Sequence, residues 1–340
     1  MGEIINPHDK FFKEVFSRRE VAVDFLRNYL PADVFLCLDE ESIYLRKDSF
    51  VDKELSTYFS DLLYQANLKD GSDAYAYVLF EHKSYPEPLI AFHLLRYMVK
   101  IWEQDLKQGF SGKMSSVIPI VIYHGTARWK VDKRFIGLFN CPEALKCFLP
   151  DFTYALCDIS GFSDEEIRGV VILKSTLLLL KYILRDELGD HLPRILGLLR
   201  ELTGKKTGME YLETVLTYVS RGTDRIDEED ISRAVEKAFP IIGGEIMPTL
   251  AEKWIEQGMQ QGMQQGMQQG MQQGMQQGFV EALRGALIEV LEDRFETVSQ
   301  TLRNRLKNIK DPDVLKSLHK KALHASSLED FKDAVQVSLI

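Results

Sequence analysis

The chain has 340 residues, 45% of them hydrophobic and 27% charged, with a net charge of −9. That length exceeds what one hydrophobic core comfortably serves and predicts two domains. The charge excludes a protein that holds nucleic acid through bulk electrostatics, and because residues 1–160 carry 19 basic and 23 acidic side chains, any such contact must be local. Cys37, Cys141, Cys147 and Cys157 have neither CxxC spacing nor nearby histidines, so no zinc site is expected and the thiols are read as reduced and mostly buried in a cytoplasmic protein. Residues 1–6 lack the basic and apolar regions of a signal peptide. The most apolar stretch, Val170 to Leu184, is interrupted by Lys174 and Lys181 and is too short for a bilayer, which predicts a buried helix and no membrane partner.

In chain order, Phe11, Phe12, Val15 and Phe16 have the spacing of a helix that packs on a sheet, with Asp9 as its expected N-cap. A second helix from Glu20 to Leu30 ends at Pro31, as pre-proline sterics require. Residues 43–59 are read as a first, irregular strand and its turn. A hairpin follows. Two aromatic-rich runs flank Lys69-Asp70-Gly71-Ser72-Asp73, and Asp-Gly between such runs is a strong turn signal. Period-2 alternation brings Asp61, at the head of the first strand, to the same hairpin end as Glu81 and Lys83, which share a face of the second. Carboxylates are the ligand type that Mg²⁺ prefers, and a lysine beside such a metal orients water or neutralises charge as a phosphodiester is attacked.

Tyr85-Pro86-Glu87-Pro88 breaks that strand and starts a helix to about Gln108. Its apolar residues are at helical spacing, and His93, Arg96, Lys100, Gln104 and Lys107 form a polar stripe. The stripe reads either as an ordinary solvated face or, because the helix follows the Glu-x-Lys strand, as a place where Arg96 and Lys100 contact phosphate. Val117 to Tyr123 is the continuous apolar run of a strand buried on both faces. Asp151 to Ile159 reads as one more strand, ending in Asp158, which either supports the site from a neighbouring strand end or caps the turn before Ser160-Gly161.

From Ser163, the sequence Ser-Asp-Glu-Glu opens a capped helix, and residues 163–255 read as helical throughout. Residues 257–278 then repeat Gln-Gly-Met-Gln with period four. Four residues turn an α-helix by about 400°, so the glycine and methionine stripes drift by about 40° per repeat. The repeat is either a flexible linker or a helical spacer that self-associates and continues through Phe279, Leu283, Leu287 and Leu291, giving a homo-oligomer. The basic stretch from Arg303 to Lys321 either touches nucleic acid or solvates a helical bundle.

His8-Asp9-Lys10-Phe11-Phe12-Lys13-Glu14-Val15-Phe16, Ser60-Asp61-Leu62-Leu63-Tyr64, Glu81-His82-Lys83-Ser84 and Leu94-Leu95-Arg96-Tyr97-Met98, in this order, resemble the Rpn family of recombination-promoting nucleases, described also as transposases, within the PD-(D/E)XK nuclease superfamily. The resemblance covers roughly residues 6 to 160. It implies an α/β, restriction-endonuclease-like mixed sheet flanked by helices, followed by an α-helical C-terminal region. The implied segments are a nuclease-like domain at 1–160, a helical domain at 163–255, the repeat at 256–278 and a C-terminal helical segment at 279–340. The implied function is a Mg²⁺-dependent DNA endonuclease that promotes recombination, with Asp61, Glu81 and Lys83 catalytic. Asp61, Glu81 and the backbone carbonyl of His82 would hold the metal, and Asp9 or Glu14 would add a third acid from the first helix. Two positions depart from the family's habit: Lys83 stands where many relatives carry Gln, and His93 stands where an arginine is expected. The alternative is a catalytically lapsed DNA-binding or oligomerising module on the same fold.

Overall fold

The computed structural model describes residues 6–46, 62–70, 75–109, 112–204, 206–241 and 243–337. Asn6 caps the first helix, α1 (Pro7–Phe16), by accepting a hydrogen bond from the His8 amide, and Pro7 occupies the first turn. This corrects the expectation for Asp9. A proline at the first helical position sets the start three residues earlier, so the Asp9 carboxylate points out of α1 instead of closing it. The helix buries Phe11, Phe12, Val15 and Phe16, and α2 (Arg19–Tyr29) and α3 (Ala32–Cys37) follow.

Among the described residues five strands form one sheet in sequence order: β1 (Tyr44–Leu45), β2 (Leu62–Asn67), β3 (Tyr75–Lys83), β4 (Ser116–Tyr123) and β5 (Ala155–Asp158). β1, β2 and β3 are antiparallel, and β3, β4 and β5 are parallel. The predicted hairpin is therefore β2–β3, with Leu62 opposite Phe80. The helix α4 (Ile90–Gly109) makes the β3–β4 crossover. The last strand is shorter than expected, because residues 151–154 serve the loop beside it: Phe135 and Lys133 bond through their backbones to Phe152 and Tyr154.

The two sheet faces have different cores. Phe80 meets Phe16, Phe25 and Tyr64, so even positions of β3 face α1 and α2. Leu63 and Val121 pack with Ile90, Leu94 and Ile101 of α4 and with Phe135 and Tyr154. Alternation then places Glu81 and Lys83 on the α4 face.

Beyond β5, Ser163 and Glu166 form the expected reciprocal cap, yet the turn does not continue. Gly169 has φ +122°, a backbone state that L side chains rarely adopt, and a regular helix begins only at Val171. From there α6 (Val171–Tyr182), α7 (Leu188–Leu198), α8 (Lys206–Gly222) and α9 (Glu228–Ala238) follow, after the short α5 (Glu143–Lys146). Leu177 to Leu180 are buried as predicted. Asp24 of α2 accepts the Val170 amide at 2.7 Å, and Phe11 of α1 stacks on Tyr218 of α8 at 4.0 Å. These helices thus share a core with the sheet, and residues 1–250 form one compact unit. Asp164 holds part of it together: its carboxylate lies 2.6 Å from the buried Lys181 ammonium and 2.7 Å from the Tyr182 hydroxyl.

Residues 251–340 form a second unit. The helix α10 (Gly243–Phe295) carries the whole repeat as regular helix. Its end packs with α11 (Gln300–Lys307), α12 (Pro312–His324) and α13 (Leu328–Val337) around Leu287, Leu291, Leu302, Leu306, Leu315, Leu318 and Phe331. Arg284 donates to the carbonyls of Leu306 and Ile309, satisfying acceptors left open by a helix end. Arg303, from the basic stretch, pairs with Glu292 of this bundle. Among the described residues no helix is long and apolar enough to cross a membrane. The cysteines differ from expectation: all four are free, but only Cys157 is buried, while Cys37 and Cys147 are exposed and Cys141 is half-buried. Cys37 and Cys147 lie at the ends of short peripheral helices, whose positions are not governed by the general preference of thiols for cores.

Candidate active site

The end of β3 gathers charge where little is expected. Glu81 is 2% exposed, and its Oε1 lies 2.7 Å from the Lys83 ammonium. Lys83 in turn lies 2.7 Å from Glu87, and Glu87 accepts from Nδ1 of His93 at 2.5 Å. The four side chains make a continuous chain of polar contacts along the β3 exit and the start of α4. Burial alone would depress the Lys83 pKa, but the charges of and hydrogen bonds to Glu81 and Glu87 outweigh it and hold the ammonium protonated well above its usual range. Such a lysine is no general base; it is a fixed cation that donates protons in hydrogen bonds.

Glu81 Oε2 is buried and has no hydrogen-bond partner among the described residues. A bare carboxylate oxygen in such a place costs free energy unless a cation or donor meets it. Its chemistry suits Mg²⁺, which takes one or two carboxylates and completes its octahedron with water and substrate oxygens. Among the described residues no group of three or more His, Cys, Asp or Glu side chains could enclose a metal. Asp61 lies outside the described residues. Its neighbour Leu62 opposes Phe80, and β3 continues three residues past that pair to Lys83.

His82 points to the opposite face. Its ring is stacked between Phe12 at 4.7 Å and His124 at 4.7 Å, and its Nδ1 bonds Asp9 Oδ1 at 3.2 Å. A carboxylate only accepts, so Nδ1 is the donor in this bond. The His82 ring thus takes no part in the Glu81 face. Burial pushes the Asp9 pKa up, but the hydrogen bond to and charge of His82, with Lys13 and Lys83 nearby, bring it below the ordinary aspartate value. Behind His82, His124 donates Nδ1–H to the Leu180 carbonyl at 2.9 Å. Burial, with His82 and His8 nearby, holds the His124 pKa well below its usual value and the ring neutral. His8 lies 5.5 Å from the His124 ring and bonds the Tyr218 hydroxyl through Nδ1 at 2.7 Å.

Glu14, Asp158 and Lys100 have partners of their own. Glu14 accepts from the Thr214 hydroxyl of α8 at 2.6 Å. Asp158 takes the capping role: Oδ1 accepts the Ser160 amide and Oδ2 the Trp129 amide. Arg96 is exposed on α4, and Lys100 pairs with Glu103 at 2.9 Å. The residue that sequence reasoning missed is Glu87. The available signal was its i+4 spacing from Lys83, obscured by flanking prolines that mark it as a loop residue.

The family model described as "Putative transposase, YhgA-like" matches residues 6–210. The recombination-promoting nuclease RpnC of Escherichia coli K12 is 30% identical over 256 residues, which is 74% of this chain and 82% of RpnC. RpnA of the same strain is 26% identical over 256 residues, covering 74% of this chain and 84% of RpnA. A relative named as inactive, the recombination-promoting nuclease-like protein RpnE, is 28% identical over 257 residues, 74% of this chain and 83% of RpnE. No solved structure matches the chain.

The opposed settings of Asp9 and Glu14 have a measurable consequence. Asp9→Ala strands the buried His82 Nδ1–H and should cost about 1–3 kcal/mol, whereas Glu14→Ala, on an exposed helix face, should cost well under about 1 kcal/mol. Urea denaturation of the two variants checks this; equal midpoints would contradict the structural role of Asp9.

Proposed function

Since this chain belongs to the "Putative transposase, YhgA-like" family, we propose that it is a Mg²⁺-dependent DNA endonuclease of the cytoplasm that promotes DNA recombination. The observation that carries the reading is the buried Glu81 with one oxygen on the Lys83 ammonium and the other without a partner among the described residues. Asp61, Glu81 and the His82 carbonyl would hold the metal, and the bound cation would supply Lewis-acid stabilisation of charge on the attacked phosphate. Lys83 keeps its proton on Nζ, orients the oxygen of an attacking water by donation and offsets negative charge in the transition state. Glu87 and His93 hold the Lys83 head in place, so that its position does not depend on substrate. Position 93 therefore serves the lysine here, where an arginine would have met phosphate directly.

A second reading, a lapsed nuclease that binds DNA or oligomerises, is raised by the relative named as inactive. Retention of Glu81 and Lys83 as a buried pair favours the enzyme, because burying charges brings a desolvation cost that an apolar pair of similar volume would avoid. Nicking of supercoiled plasmid decides between the two. Wild type should cut with Mg²⁺ and not in EDTA, and Asp61→Ala, Glu81→Ala and Lys83→Ala should each lose nearly all cleavage, because groups that act as a unit fail together. Cleavage in EDTA, or by folded Asp61→Ala, would contradict the assignment.

Self-association through the repeat is part of the proposal. Met259, Met263, Met267, Met271 and Met275 are 61–75% exposed along α10, and a Cβ at Gly262, Gly266, Gly270, Gly274 or Gly278 would meet nothing within 4 Å. A helix that spends about 1 kcal/mol per glycine and exposes apolar, adaptable side chains gains stability by packing on a second copy. Light scattering should report a dimer or larger species that is lost when Gly262, Gly266 and Gly270 become Leu; a wild-type monomer would defeat this.

A further inference from the structure

The connection from β4 to β5 begins against the active strand. The His124 amide donates to the Lys83 carbonyl at 3.1 Å, and Gly125 passes so close to Ser84 that a Cβ there would collide with the Ser84 carbonyl and the Tyr123 hydroxyl. The next residues are tied down one after another. Tyr123 donates its hydroxyl to the Ala127 carbonyl at 2.5 Å. The Trp129 amide donates to Asp158 at 3.1 Å and its indole N–H to Tyr154 at 3.1 Å. Tyr154 donates its hydroxyl to the Asp132 carbonyl at 3.2 Å and its amide to the Lys133 carbonyl at 3.2 Å.

Within this pinned segment, residues 124–134 hold four basic side chains, Arg128, Lys130, Lys133 and Arg134, against the single acid Asp132. Asp132 is turned to the backbone, where it accepts the Arg134 amide at 2.9 Å, and Arg134 is paired with Asp151. Arg128, Lys130 and Lys133 are exposed, and the ion pairs among the described residues leave all three without a carboxylate. Three exposed cations within six residues, without an ion-pair partner among the described residues, are the reverse of what a chain of net charge −9 presents on average. Trp129 and Val131 pack with Ile90, Leu94 and Val121, so the segment covers the α4 face, the one that carries Glu81 and Lys83.

We propose that Arg128, Lys130 and Lys133 form a backbone-binding site for duplex DNA beside the Glu81–Lys83 strand end, holding phosphates that flank the one attacked. The inference rests on the nuclease reading for its substrate. Its physical basis is that the loop is ordered by Trp129, Gly125 and Tyr154 before DNA arrives, so binding orders only three side chains and no backbone. Local placement also resolves the charge problem: an acidic chain meets phosphate through a small, fixed patch while its metal site stays rich in carboxylate. Contacts of this kind position the duplex and carry no sequence information.

The test is binding of a fluorescent 20-base-pair duplex, read by anisotropy in EDTA across a salt series, with plasmid nicking in Mg²⁺ measured in parallel. Arg128→Gln/Lys130→Gln/Lys133→Gln should melt as wild type does and bind more weakly at every duplex sequence. Its plot of log K against log salt should be shallower by about 2–3, since each phosphate contact contributes about 0.9. Lys146→Gln/Lys206→Gln, which removes charges already paired with Glu143 and Glu210, should leave the slope as it was. A triple variant with the wild-type slope, or a wild-type protein that does not bind the duplex, overturns the site. The two readings fail separately: a protein that binds with the loop-dependent slope but never nicks retains the site and loses the nuclease, and one that nicks with an unchanged slope in the triple variant does the converse.

Discussion

A carboxylate that is 2% exposed carries a large desolvation cost unless a cation or donor stands beside it, and for Glu81 that is the Lys83 ammonium, 2.7 Å away. Neither charge is stable in its position alone: removal of one partner from such a pair costs about 3–5 kcal/mol. Glu87 contacts both the Lys83 ammonium and the His93 ring, so the start of α4 is tied to the end of β3. The arrangement is satisfied on one side and open on the other, because Glu81 Oε2 has no partner among the described residues. That asymmetry turns a structural ion pair into a candidate for metal-assisted hydrolysis.

The opposite face of the same strand explains how the geometry is held. His82 lies between Phe12 and His124 and is hydrogen-bonded to Asp9, and His124 is fixed by Leu180 and followed by His8 and Tyr218. One residue of β3 therefore touches α1 directly and, through the rings behind it, α6 and α8. A strand end locked this way keeps its neighbouring side chains, Glu81 and Lys83, in place without contacting them. The helices after residue 170 serve the strand end although they lie far from it in sequence.

Local signals in the sequence carried much of this. The Asp-Gly turn between aromatic runs and the alternation up to Lys83 fixed the hairpin and the pairing of Glu81 with Lys83, since both depend on neighbours in the chain. The Leu177–Leu180 run identified its helix by hydrophobicity alone. What stayed hidden depends on tertiary partners or on single backbone states. Asp9 meets His82 across 73 residues, and only the fold makes it a histidine anchor instead of a cap. The Ser163–Glu166 cap forms, but Gly169 stops the helix that such a cap ordinarily opens. Glu87 read as a loop acid because nothing local says that the loop folds back over Lys83.

The chemistry proposed for the end of β3 depends on whether Glu81 receives a divalent cation. The most direct measurement is a crystal of the wild-type protein grown with Mn²⁺, which scatters anomalously and takes the same oxygen ligands as Mg²⁺. An anomalous peak at coordination distance from Glu81 Oε2, absent in Glu81→Gln crystals, is the predicted result. Crystals with Glu81 ordered, its second oxygen unmet and no peak beside it would contradict the account.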